Sequence, residues 1–176
     1  MATFLLIGPS GSGKSTAAKI VSEKGDQISV FDLDKEIKKK IGGKSVSEFL
    51  NREGDEKFFE ISKQVIEEIS LKKSHNTLII VGAGSINYKH SHEWYLKQNL
   101  ISLTGNPQRI YERGDRQKFH PKVENYIETE FSASRENLYK NSTHIIDVTE
   151  YTPEQVADII LQKIGNNQQG EAGKGS

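Results

Sequence analysis

The segment Gly8-Pro-Ser-Gly-Ser-Gly13-Lys14-Ser15 places two glycines, a lysine and a hydroxyl at the spacing G-x-x-x-x-G-K-[ST]. Each of those residue types has a role in holding phosphate. Glycines let the backbone curl so that successive N–H groups point at an anion, and a helix that follows adds the positive end of its dipole. Lys14 can reach the β- and γ-phosphates of a nucleoside triphosphate, and the Ser15 hydroxyl can ligate magnesium. A plain strand-to-helix turn needs neither the lysine nor the hydroxyl at these offsets. Gly11, Ser12, Gly13, Lys14, Ser15 and Thr16 are therefore expected to hold ATP with Mg2+.

A second group of candidates follows the apolar run ISVF, which ends in Asp32-Leu33-Asp34. On a strand, side chains alternate with period two, so both carboxylates are expected on one side of the strand end, facing the phosphate loop. One could hold magnesium through water, and the other could orient or deprotonate an attacking hydroxyl. The competing reading is that Asp32 or Asp34 caps the helix beginning near Lys35. The run TLIIV leads into Gly82-Ala83-Gly84, whose small residues would let a ligand approach the backbone or would simply make a tight turn. His75, His90, His92 and His144 share no metal-ligand spacing, and with Trp94 and Tyr95 they read as surface or packing residues. The lysines at 38 to 40 read as the solvated face of a helix.

These residues need a scaffold, and the chain supplies one. Short apolar runs (TFLLI, ISVFD, TLIIV, LISLT) alternate with longer helix-period segments, the signature of βαβ units around a parallel sheet. TFLLI and TLIIV are continuously apolar and belong at the centre, covered by helices on both faces. In the last third, Val123, Ile127, Phe131 and Leu138 fall roughly on one helical face, and Val156, Ile159, Ile160 and Ile164 repeat the pattern. The segment from about 114 to 122 is polar, basic and closed by a proline, and reads as a mobile loop. The 176 residues fit one domain over 1–165, followed by a frayed polar tail at 166–176.

Lys plus Arg and Asp plus Glu balance at 24 each, which gives no global field toward nucleic acid or an anionic membrane. There is no cysteine, so disulfides, thiolate metal sites and a cysteine nucleophile are all excluded. The N-terminal apolar run is only a strand long and lacks a basic leader. A cytoplasmic monomer working on small molecules is the expectation.

Taken together, the motifs resemble the shikimate kinase family, within the nucleoside monophosphate kinase-like group of phosphate-loop proteins. GPSGSGKST matches the family's loop, and FDLDKEI looks like its D-x-D strand end. IGGKSVSEFLNREGDEKFFEIS is similar to its G-x-S-I-x-E-I-F and G-E-x-x-F-R-x-x-E segments, with Ser45, Glu48, Phe49, Gly54 and Phe58 in step. VGAGSI resembles its triple-glycine turn, and Ser134-Arg135-Glu-Asn-Leu-Tyr139 its R-x-x-L-Y helix. The resemblance implies a three-layer α/β/α fold with a five-stranded parallel sheet, a substrate-binding region at about 33–62 and a lid at about 113–124. The implied reaction moves the γ-phosphoryl of ATP to the 3-hydroxyl of shikimate. Lys14 and Asp34 would then be catalytic, Asp34 meeting the acceptor hydroxyls, while Asp32 joins Ser15 in the magnesium shell. Arg135 would grip the acceptor carboxylate, and Arg113 would lie over the adenine.

The chain departs from that pattern on the acceptor side. Phe59 stands where the family has arginine, Ser62 where it has glutamate, and Ala83 is the middle residue of the glycine turn. The lid's R-P is matched by His120-Pro121, with Arg116, Lys118 or Lys122 as alternative cations. Phe59, Gly82, Ala83, Gly84 and His120 therefore join Asp34 and Arg135 as candidate acceptor-binding residues. Two other classes compete with a kinase of shikimate or a similar polyol. A GTPase would need an N-K-x-D motif, which the sequence lacks; a nucleotide-binding regulatory protein would keep the ATP site and lose the acceptor site.

Overall fold

Five strands, β1 (Thr3–Ile7), β2 (Ile28–Asp32), β3 (Asn76–Ile80), β4 (Asn99–Thr104) and β5 (His144–Asp147), pair in parallel in the order β2-β3-β1-β4-β5. The computed structural model describes residues 1–72, 74–114 and 119–172. Its helices are α1 (Lys14–Lys24), α2 (Leu33–Lys40), α3 (Val46–Glu53), α4 (Asp55–Leu71), α5 (His92–Leu96), α6 (Pro107–Arg113), α7 (Val123–Glu130), α8 (Ala133–Lys140) and α9 (Pro153–Ala172). The central strand shows why TFLLI is apolar throughout. Phe4 and Leu6 enter one core with Val21 of α1, Ile110 of α6, Tyr126 of α7 and Ile160 of α9. Leu5 and Ile7 enter the other, with Ile37 of α2, Ile66 of α4, Tyr95 of α5 and Leu138 of α8. Period-two alternation thus feeds two cores and gives the three layers of an α/β/α fold.

Local signals set the helix starts. Asn106 accepts the Arg109 N–H at 3.1 Å and Pro107 occupies the first turn of α6. Thr152 and Gln155 cap α9 reciprocally, Gln155 N–H to Thr152 Oγ1 at 3.2 Å and Thr152 N–H to Gln155 Oε1 at 2.9 Å. Ser45 Oγ accepts the Glu48 N–H at 3.4 Å at the head of α3, and Gly54 at φ 89° separates α3 from α4.

The structure differs from the sequence reading in three places. Asp34 is not on the strand: β2 ends at Asp32 and Asp34 lies in the first turn of α2. The apolar set from Val123 to Leu138 is not one helical face, because the chain leaves α7 at Phe131 and restarts as α8 after Ser132. Phe131 then packs in the first core and Leu138 in the second. Finally, α9 continues to Ala172 past the end of its apolar pattern, since an established helix adds a hydrogen bond for each further residue. Among the described residues no helix is long and apolar enough to cross a membrane.

Candidate active site

The loop between β1 and α1 is shaped by its glycines. Gly11 and Gly13 sit at φ 88° and 89°, the left-handed geometry that turns backbone N–H groups to one side, and Gly13 is the residue from which α1 starts. Lys14 Nζ folds back and donates to the carbonyls of Gly8 and Pro9 at 2.8 and 3.0 Å. The Ser12 hydroxyl is buried and has no hydrogen-bond partner among the described residues, a donor left over for a ligand. These features fit a polyphosphate. Next to the loop lies a 480 Å3 cavity lined by Gly11, Gly13, Thr16, Arg113, Tyr151 and Pro153, among others. Arg113 is fixed there by donating to the Val148 and Thr149 carbonyls. A second cavity of 370 Å3 lies between Ser10, Lys14, Ser15 and Thr16 on one side and Ala83 and Gly114 on the other.

Asp32 takes the capping role and keeps its place near the loop. Its Oδ1 accepts the Asp34 N–H at 3.0 Å and the Lys35 N–H at 3.4 Å, while it lines a 620 Å3 cavity together with Ser15. A hydroxyl and a carboxylate on one cavity suit a hard cation such as Mg2+, and the residues present fit it. Among the described residues no cluster of three or more His, Cys, Asp or Glu forms a separate metal site. Asp34 packs against Gly82, where a β-carbon would stand 2.7 Å from Asp34 Oδ2. Gly82 is thus required by close approach. Burial raises the Asp34 pKa, and the Asp32 charge raises it further, against a smaller opposite pull from Lys14. Both predicted acids therefore reach the phosphate loop, by helix capping rather than by strand alternation.

Arg135 is brought to the same region but is already engaged. Its Nη1 donates to Glu130 Oε2 at 2.7 Å, and its Nη2 donates to the Ala83 carbonyl at 3.3 Å and to Asn87 Oδ1. The same Glu130 oxygen accepts the Ser10 N–H at 3.1 Å, and the Tyr126 hydroxyl donates to the Ser10 carbonyl. Sequence reasoning missed Glu130, Asn87, Tyr126 and Tyr151. Glu130 lies 120 positions from Ser10, a separation at which no local pattern signals a contact.

Phe59 sits in an aromatic cluster, with ring centroids 5.8 Å from Trp94, 5.9 Å from Tyr95 and 6.0 Å from Tyr88. Burial, and secondarily the Asp34 charge, push the Tyr95 phenol pKa upward, so this cluster reaches the field of Asp34. The Ser62 hydroxyl donates to the Phe58 carbonyl at 2.7 Å and faces the Ser85 hydroxyl at 3.4 Å, a small buried pair. Ala83 and Gly84 lie in the short 3-10 turn after β3. His120 stacks edge-on against Tyr126, and its carbonyl accepts the Tyr111 hydroxyl. Of the alternative lid cations, Lys122 is exposed at the head of α7; Arg116 and Lys118 lie outside the described residues. His92 is a packing residue, its Nε2 2.8 Å from the Ile86 carbonyl.

The shikimate kinase family model matches residues 10–165, from the phosphate loop through most of α9. The chain belongs to the shikimate kinase family. Among curated relatives, the shikimate kinase of Lactococcus lactis is 31% identical over 170 residues, covering 94% of this chain and 99% of that protein. The shikimate kinase of Streptococcus gordonii is 29% identical, covering 89% and 96%. Among solved structures, shikimate kinase from Acinetobacter baumannii in complex with shikimate superposes with a TM-score of 0.71 at 24% identity, covering 95% of this chain and 94% of that one. The residues matched to the shikimate kinase family begin inside the phosphate loop and take in all strands of the sheet after β1.

Proposed function

We propose that this protein is a kinase that transfers the γ-phosphoryl group of ATP to a hydroxyl of shikimate or a similar cyclic polyol. The observation that carries the reading is Asp34, a carboxyl of raised pKa held against Gly82 and within the electrostatic reach of Lys14 on the phosphate loop. The backbone of Gly11 to Thr16 and the Lys14 ammonium hold the phosphates, and Arg113 and Tyr151 bound the cavity that takes the nucleoside. Ser15 and Asp32 would hold Mg2+, which spreads the charge that builds on the phosphoryl oxygens. Asp34 orients the acceptor hydroxyl and takes its proton as the oxygen–phosphorus bond forms. The bond from the γ-phosphorus to the bridging oxygen breaks, and ADP carries away the electron pair.

The test is ADP release from ATP and Mg2+ with and without shikimate and related polyols, with Lys14→Ala as the blank. Acceptor-dependent release absent from the blank supports transfer. A second reading, a nucleotide-binding protein without transfer, is favoured by Phe59 and by the existing partners of Arg135. ATP binding with no ADP release on any acceptor would select it.

A further inference from the structure

Ser10, in the phosphate loop, is held by both of its backbone polar groups. Its N–H donates to Glu130 Oε2 at 3.1 Å, and its carbonyl accepts the Tyr126 hydroxyl. Tyr126 and Glu130 stand at i and i+4 on α7 and so share one helix face. Tyr126 is fully buried and Glu130 is 5% exposed. A buried hydroxyl or carboxylate needs hydrogen-bond partners, but that need does not require both to end on one residue, 116 and 120 positions away along the chain.

Peptide planarity carries this grip into the loop. No peptide bond among the described residues is cis, so each carbonyl and the N–H that follows it point to opposite sides. With the Ser10 N–H drawn to Glu130, the Pro9 carbonyl faces the other way, where it accepts Lys14 Nζ at 3.0 Å and the Ser12 N–H at 3.1 Å. With the Ser10 carbonyl drawn to Tyr126, the Gly11 N–H faces away from α7, on a residue that lines both the 480 and the 370 Å3 cavities. Gly11, at φ 88°, has no side chain to limit its rotation, so a grip on the preceding carbonyl is what sets that N–H. A carboxylate beside an anion site would repel the anion, and Arg135 Nη1, 2.7 Å from the same Glu130 oxygen, offsets that charge.

We propose, on the reading that the loop holds a polyphosphate, that Tyr126 and Glu130 are positioning residues for phosphate binding. They act through Ser10 rather than on the ligand. Together they fix two successive peptide planes, aim the Gly11 N–H before the nucleotide arrives, and take the Ser10 N–H out of the set that meets phosphate.

Two variants each cut one contact with little change of shape. Tyr126→Phe removes the hydroxyl and keeps the ring between Tyr111 and Phe131. Glu130→Asp keeps the charge that faces Arg135 and withdraws it from Ser10 by one methylene, so it carries the test alone if Tyr126→Phe does not fold. Calorimetry on the full chain measures ATP with Mg2+, inorganic tripolyphosphate and, by competition with ATP, adenosine. Each variant should bind ATP and tripolyphosphate at least about fivefold more weakly, the value of one hydrogen bond, with adenosine affinity within about twofold of the wild type. A general loss of packing would weaken adenosine as well, whereas misaimed loop donors leave it alone. Unchanged tripolyphosphate affinity in both variants, or parallel losses for tripolyphosphate and adenosine, overturns the proposal alone. A wild type that binds neither ATP nor tripolyphosphate removes the nucleotide reading and the proposal with it.

Discussion

Glu130 and Arg135 form a 2.7 Å ion pair with both side chains 6% exposed, and the Glu130 oxygen that closes it also accepts the Ser10 N–H. One carboxylate oxygen therefore ties the phosphate loop to the helix that carries the arginine. Removing one partner of such a pair leaves an uncompensated buried charge. Glu130→Ala should lower the unfolding free energy by ~3–5 kcal/mol, read by urea denaturation. A loss below about 1 kcal/mol, the range of an exposed pair, would mean that water reaches Arg135.

Asp34→Asn should reduce phosphoryl transfer by ~10^2–10^4-fold while ATP binding persists, the span associated with a positioned general base. Single-turnover assays beside nucleotide titration separate the two effects. Transfer at a near-normal rate would remove Asp34 from the proposed chemistry.

The same residue makes a prediction about pH. Because burial and Asp32 raise the folded pKa of Asp34, the folded state holds its proton at pH values where the unfolded state has released it. Stability from this group is therefore greatest below the unfolded pKa, near 4, and falls as pH rises through the raised folded value. Asp34→Asn removes that loss, so the variant should melt higher than the wild type at pH 7, with the gap closing near pH 3. Transfer should follow the opposite course, rising as Asp34 ionises. Equal melting temperatures at pH 7 would contradict the raised pKa.

Gly82→Ala places a methyl 2.7 Å from Asp34 Oδ2, so the carboxyl must move. A displacement of about 1 Å at a reacting group costs ~10^2-fold in rate, and kcat should fall with little change in ATP binding. Unchanged kcat would show that the Asp34 position is not critical.

Arg113→Ala removes a guanidinium that holds the Val148 and Thr149 carbonyls at the 480 Å3 cavity beside the phosphate loop. ATP affinity should weaken about tenfold, the value of one charge-assisted hydrogen bond, with acceptor KM unaffected. Isothermal titration of ATP and of the acceptor separately checks both halves.

The sequence reveals those parts of the fold and site whose causes are local. The phosphate loop, the central strands β1 and β3, and the start of α1 follow from neighbouring residues, and all are found where the pattern places them. Ser45, Glu48, Gly54 and Phe58, which carry much of the family resemblance, include a helix cap, a positive-φ break and a core ring. What the sequence hides is long-range. The Asp32 cap displaces Asp34 from strand to helix, a choice between two local readings that the residues alone left open. The break at Phe131–Ser132 is invisible to helical periodicity because apolar spacing continues across it. β5 is short, lies at the sheet edge and exposes half of Ile145, so its apolar signal is weak.

The two cores border different parts of the molecule. Val148, Val156 and Ala17, which line the 480 Å3 cavity beside the phosphate loop, belong to one core, whereas Phe59, Tyr95 and Leu138 belong to the other. The β-sheet divides the two sets, and the phosphate loop at the end of its central strand is where they meet. Substitutions that repack one layer can therefore accumulate over evolutionary time while the opposite layer stays under its old selection. Phe59 and Ser62 lie on α4, the helix that feeds the second core. The sheet thus lets one layer absorb a substitution without repacking the other.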